Sequence, residues 1–85
     1  MMSQPIYNRL SLFRTEAAMS RRELAEKVGV NPQTIGCLER GDYSPSLELA
    51  MRVARLFGVP VEALFSFEPF EPVAVLIQRA REVQR

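Results

Sequence analysis

At 85 residues, with 47% hydrophobic and 25% charged residues, the chain suits one small globular domain with a modest core. One cysteine and no histidine exclude an intrachain disulfide and argue against a Cys/His zinc site. A net charge of +1 does not mark a nucleic-acid binder, so any affinity for DNA must come from local placement of charge. No apolar run approaches the roughly 18 residues of a membrane span. The start, "MMSQPIYNRL", has no basic region followed by an apolar stretch, so no secretory leader is visible and a cytoplasmic location is the default expectation.

Five helical segments are predicted in chain order, with little that reads as a strand. The first, residues 5–17, places Ile6, Leu10 and Phe13 on one face at spacings of four and three. Ser20 followed by Glu23 is a capping box that opens a second helix to Val28, with Leu24, Ala25 and Val28 inward and Gly29 as its left-handed stop. The third segment lies in "VNPQTIGCLERG". Asn31 is its N-cap, Pro32 its first helical residue and Gly41 its end. "DYSPS" is a turn in which Ser44-Pro45 can cap a fourth helix, carrying Leu47, Ala50, Val53, Ala54 and Phe57 inward up to Gly58. Val59-Pro60 starts a short fifth helix ending at Leu64 or Phe65. "SFEPFEP", with two prolines, reads as an extended connector. A last stretch places Val73, Leu76, Ile77, Ala80 and Val83 on one face of a possible helix.

Two short helices joined by a tight turn containing glycine describe a helix-turn-helix. Ala25 is small enough for close helix crossing, Gly29 allows the turn, and Ile35 and Leu38 anchor the second helix of the pair. That orientation leaves Gln33, Thr34 and Cys37 facing out. The pieces "SRRELAEKVGV", "QTIGCLERG" and "SPSLELAMRVARLFGV" resemble the XRE family, the Cro and lambda-repressor type of DNA-binding domain, over residues 8–65. The resemblance implies an all-α, five-helix lambda-repressor-like domain over 1–65 whose third helix enters the major groove. The remainder, 66–85, is a short, helical C-terminal extension. The resemblance also implies a transcriptional regulator, usually a repressor and usually dimeric.

Residue roles follow on that frame. Gln33 can pair bidentately with adenine N6 and N7 and is the leading base-reading candidate. Thr34 can donate to a base edge or offer a methyl to thymine. Pro32 either contacts a thymine methyl or only starts the helix. Gly36 either permits close approach of DNA or serves a helix–helix contact. Cys37, one turn beyond Gln33, offers a small, weakly polar surface. Its use as a redox switch would need an accessible thiolate, for which only the nearby Arg40 speaks. Phosphate contacts are expected from the start of the second helix at Ser20, Arg21 and Arg22, from Asn31, and from Arg40, Tyr43 and Ser44 beyond the third helix. Lys27, Arg52 and Arg55 read as solvated. The resemblance further implies a partly buried ion pair between Arg14 and Glu39, tying the first helix to the recognition helix.

Phe67, Phe70 and the apolar face of 73–83 are too hydrophobic for an idle tail. The tail either packs on its own domain or meets a second subunit, and a homodimer is the favoured expectation. The leading function is a sequence-specific DNA-binding regulator, a repressor on a near-palindromic operator. The alternative is a protein-interaction module of antitoxin type, whose tail binds a partner protein. No histidine base, placed carboxylate pair or phosphate-binding glycine loop supports an enzyme, and no cofactor or membrane partner is implied.

Overall fold

Helix begins later than the apolar spacing predicts. In the computed structural model, which describes residues 5–42 and 44–83 (Val73 and Val83 as backbone only), α1 spans Leu10–Glu16 rather than 5–17. Ahead of it, Tyr7–Asn8 form a short strand β1, paired antiparallel with β2 at Phe65–Ser66. Asn8 decides this locally. Its Oδ1 accepts the Leu10 N–H at 3.1 Å, and its Nδ2 donates to the Leu38 carbonyl at 2.7 Å. An asparagine that bonds nearby backbone competes with helix formation. Arg9 completes the ribbon, donating its backbone N–H to the Leu64 carbonyl at 3.0 Å and its Nε to the Ala63 carbonyl at 2.6 Å. The ribbon, two residues on each side, agrees with the expectation of little strand, although its position was not foreseen. Strands of two residues are too short for alternation to reveal them.

The remaining elements are α2 (Arg21–Val28), α3 (Pro32–Arg40), α4 (Leu47–Phe57), one 3-10 turn (Val61–Ala63) and α5 (Val73–Val83). Ser46, not Ser44-Pro45, caps α4: its hydroxyl accepts the Leu49 N–H at 3.1 Å. That register corrects the inward face as well. Leu49, Ala50, Val53 and Ala54 are buried, whereas Leu47 is 74% exposed. Leu47 is the first residue of α4, and the buried positions begin two residues later at Leu49. The expected fifth helix at 59–65 is reduced to the 3-10 turn, because the chain passes directly from Leu64 into β2.

Each of α1 to α4 contributes at least one fully buried anchor, Leu10 from α1, Leu24 from α2, Ile35 and Leu38 from α3 and Val53 from α4, and Leu64 adds another after the 3-10 turn. Phe13 and Phe57 close one side of this core with ring centroids 5.7 Å apart. Among the described residues the fold is therefore mostly helical, with five α-helices and one small ribbon, but the fifth helix is the C-terminal one. Among the described residues no helix is long and apolar enough to cross a membrane.

Candidate nucleic-acid interface

The α2–turn–α3 unit is built by its caps. Ser20 accepts the Glu23 N–H at 3.0 Å while the Glu23 carboxylate accepts the Ser20 N–H at 3.1 Å. These bonds, together with the Lys27 charge, hold the Glu23 carboxyl below its ordinary pKa despite the opposing effect of desolvation. Gly29 adopts φ 79°, a left-handed conformation that glycine takes without the steric cost of a side chain, and it turns the chain toward α3. Asn31 Oδ1 then accepts the Thr34 N–H at 3.0 Å and lies 3.4 Å from the Thr34 hydroxyl. Pro32, lacking an N–H, starts α3 where none is needed. Ile35 and Leu38 are buried below, so α3 presents its opposite side outward.

That outer side carries a shallow depression lined by Arg21, Pro32, Gln33, Gly36, Cys37 and Arg40. The structure thus gathers all of the expected base-reading residues except Thr34, together with two of the cations assigned to phosphate. Gln33 and Pro32 are exposed, and Thr34 and Cys37 are half-buried. Gly36 is buried, and the room left by its missing side chain is not open to a ligand. A Cβ built there would lie 3.2 Å from Arg40 Nη1. Helical side chains lean toward the N-terminus, so a residue four positions on covers this spot. Arg40 Nη2 also donates to Cys37 Sγ at 3.4 Å, and its Nε donates to Asp42 Oδ2 at 3.0 Å. The Asp42 carboxylate raises the pKa of the Arg40 guanidinium.

Among the expected phosphate contacts, Ser20, Arg22, Asn31 and Ser44 are exposed, and Arg22 lies 3.5 Å from Glu26. Tyr43 lies outside the described residues. Arg21 is partly committed: its Nε donates to Glu39 Oε1 at 2.8 Å. Arg14 reaches the same carboxylate from the other side, Nε to Oε2 at 2.6 Å, and gives Nη1 to the Met19 carbonyl at 2.8 Å. Glu39 is therefore shared by two arginines, with its side chain only 4% exposed. Burial by itself would raise its pKa. The hydrogen bonds and charges of Arg14 and then Arg21 outweigh that effect and hold the carboxyl below its ordinary value. The carboxylate joins α1, the start of α2 and α3.

Two functional placements were not visible in the sequence. No periodicity marks Arg21 as the second partner of a carboxylate 18 residues away. Arg52, read as solvated, donates Nη1 to the Val28 carbonyl at 3.3 Å, at the carbonyl end of α2, and pairs with Glu48 at 2.5 Å. A cation there is favourable to the α2 dipole. Lys27 and Arg55 are exposed.

Comparison with known proteins agrees with this geometry. The helix-turn-helix family model matches residues 10–64. The chain is 48% identical over 63 residues, 74% of its length and 90% of the relative's, to an uncharacterized helix-turn-helix-type transcriptional regulator of Archaeoglobus fulgidus. It is 36% identical over 53 residues, 62% of its length and 48% of the relative's, to the cryptic phage CTXphi transcriptional repressor RstR of Vibrio cholerae. Among solved structures, the clp gene regulator ClgR of Corynebacterium glutamicum superposes with a TM-score of 0.56 at 38% identity, over 61% of this chain and 68% of that one. A Bacteroides fragilis protein assigned as DNA-binding gives a TM-score of 0.65 at 30% identity, over 72% and 98%.

Proposed function

This chain belongs to the XRE-type helix-turn-helix family of DNA-binding transcriptional regulators, and we propose that it is a repressor that inserts α3 into the major groove of a near-palindromic operator. The single observation that carries this reading is the division of α3. Ile35, Leu38 and Glu39 fix one side to the domain, while Gln33, Cys37 and Arg40 share the free side. Gln33 reads adenine through its amide, with Thr34 and Pro32 against neighbouring base edges or thymine methyls. Cys37 and the strip over Gly36 supply a close, weakly polar surface. Ser20, Arg22 and Asn31 line the helix starts that meet phosphates, and the two free terminal nitrogens of Arg21 join them. Ser44 follows α3 on the far side of the groove. The phage repressor among the relatives supports repression over activation.

A homodimer completes the proposal. α5 exposes Val75, Leu76 and Ile77, and Phe67 ahead of it is exposed as well. An isolated helix of 11 residues is marginal in water. A second copy covering this face would set two α3 helices about 34 Å apart on one side of the duplex. The antitoxin-type reading rests on the same uncovered face, filled instead by another protein. Binding to a selected duplex should weaken steeply with salt, and the mass in solution should be that of a dimer. Truncation after Ser66 should yield a monomer. A wild-type monomer at micromolar concentration would remove the homodimer, and salt-independent binding would remove the DNA contact.

A further inference from the structure

We propose that Arg40 reads a guanine base, rather than a phosphate, from the outer face of α3; this rests on the DNA-binding reading above and names one of its specificity-determining residues. Arg40 would be an unremarkable surface cation if its side chain were free. It instead makes two polar contacts and lies close to a third group. Its Nε donates to Asp42 Oδ2 at 3.0 Å, its Nη2 to Cys37 Sγ at 3.4 Å, and its Nη1 stands 3.2 Å from where a Cβ at position 36 would lie. The guanidinium therefore lies back along α3, across the depression it shares with Gln33 and Cys37, instead of reaching outward toward a flanking strand.

The Asp42 contact carries little stability, since both partners are more than half exposed, at 58% and 56% of their side chains. Its consequence is orientation. With Nε on Asp42, the two terminal nitrogens are the pair of donors that can match guanine O6 and N7 once Nη2 leaves Cys37 Sγ. The sulfur contact is weak and is readily exchanged for a base acceptor. Arg21, the other guanidinium at this depression, differs in the point that matters. It is held by Glu39 from the start of α2, next to the helix N-terminus where phosphates gather. The two arginines thus divide the work, Arg21 on the strand and Arg40 on a base beside the one read by Gln33. Gly36 has a positive role in this arrangement: it seats the Arg40 guanidinium against the helix.

The test is selection of bound duplexes from a random pool, followed by affinity measurements on the selected site and its single-base variants, with wild type, Arg40→Ala, Arg40→Lys and Asp42→Asn. Wild type should fix one guanine in each half-site, and replacing that guanine with adenine should weaken binding about 5- to 150-fold. Arg40→Lys keeps the charge but cannot form the bidentate pair. It and Arg40→Ala should bind the guanine and adenine sites within about twofold of each other, whereas Asp42→Asn should reduce the preference severalfold without lowering binding to unrelated duplexes. Melting temperatures should stay near wild type, because these side chains are exposed. Two results overturn the inference: Arg40→Lys retaining the guanine preference, or Arg40→Ala weakening all sites equally with the salt slope reduced by about one. Wild type that enriches no sequence overturns the DNA-binding reading itself, a different failure from either of these.

Discussion

α3 and α5 are both short, mixed helices of apolar and basic residues, yet they stand in opposite situations. α3 has an asparagine cap, a proline first turn, a glycine stop, two buried aliphatic anchors and a carboxylate shared by two arginines. α5 leaves Ala74 to Glu82 exposed, and its start is held by an ion pair of Arg79 with Glu71 at 2.7 Å. The Arg9 guanidinium stands 4.6 Å over the Phe70 ring, a contact between this segment and the domain. An amphipathic pattern therefore does not determine what covers it. α3 is positioned to act on something outside the domain because its own packing is complete. α5 leaves Val75, Leu76 and Ile77 exposed, the face that the proposed homodimer assigns to a second copy.

The difference can be broken first at the core under α3. Leu38→Ala should cost about 2–5 kcal/mol and lower the melting temperature sharply, whereas Leu76→Ala, on exposed α5, should change it little and instead weaken self-association. Equal losses of thermal stability from the two would erase the distinction. Next in size is Arg14→Ala. It leaves Glu39 with Arg21 alone, so the loss should be about 2 kcal/mol, below the roughly 3–5 kcal/mol of a fully orphaned buried charge. DNA affinity should fall with it, since the tie between α1 and α3 is lost. An unchanged melting temperature would remove that assignment.

Acid provides a third test. The folded-state pKa of Glu39 is lowered, so the folded state favours the ionised carboxylate more than the unfolded chain does. Its stabilisation is complete above the ordinary value of 4.5 and is lost as the pH falls from there through the lowered folded value. The melting-temperature advantage of wild type over Glu39→Gln should therefore be constant near neutral pH and shrink below that point. An advantage that grew on acidification would contradict the sign.

The smallest expected effects are at the edges of α3 and α1. Gly36→Ala removes a helix penalty of up to about 1 kcal/mol. Position 36 is not left-handed, and the neighbouring Arg40 Nη1 is the far end of a flexible side chain. The variant should be as stable as wild type or slightly more so, and less selective for its operator, as measured by melting and by competition binding. Ala18 sits at φ 55°, a conformation costly for a residue with a Cβ. Ala18→Gly should raise stability by up to about 1 kcal/mol and leave DNA binding unchanged.

Much of this was legible in the residues. The capping box at Ser20 and Glu23, the left-handed Gly29, and the Asn31-Pro32 start are local signals, and each stands where its chemistry requires. Long-range choices were not legible. Asn8 accepts the Leu10 N–H locally but also reaches Leu38, thirty residues away, and no local spacing encodes that second bond. Ser46 rather than Ser44 caps α4, because two serines flank Pro45 and local sequence does not rank them; the two-residue shift makes Leu47 the first residue of the helix, where it is exposed. At the candidate site, helical spacing put Gln33, Thr34 and Cys37 outward; Gln33 is exposed, whereas Thr34 and Cys37 are half-buried and Thr34 lies outside the depression. The seating of Arg40 over Gly36 and the attachment of Arg21 to Glu39 depend on side-chain conformations that spacing alone does not fix.

The central claim is that the free face of α3 reads DNA sequence, and it is tested most directly by comparing the duplexes selected by wild type and by Gln33→Ala at equal thermal stability. The account predicts one near-palindromic motif for wild type and loss of a single adenine preference in each half-site for the variant, with the rest of the motif intact. An identical motif from both proteins, or no enrichment by wild type, would contradict it.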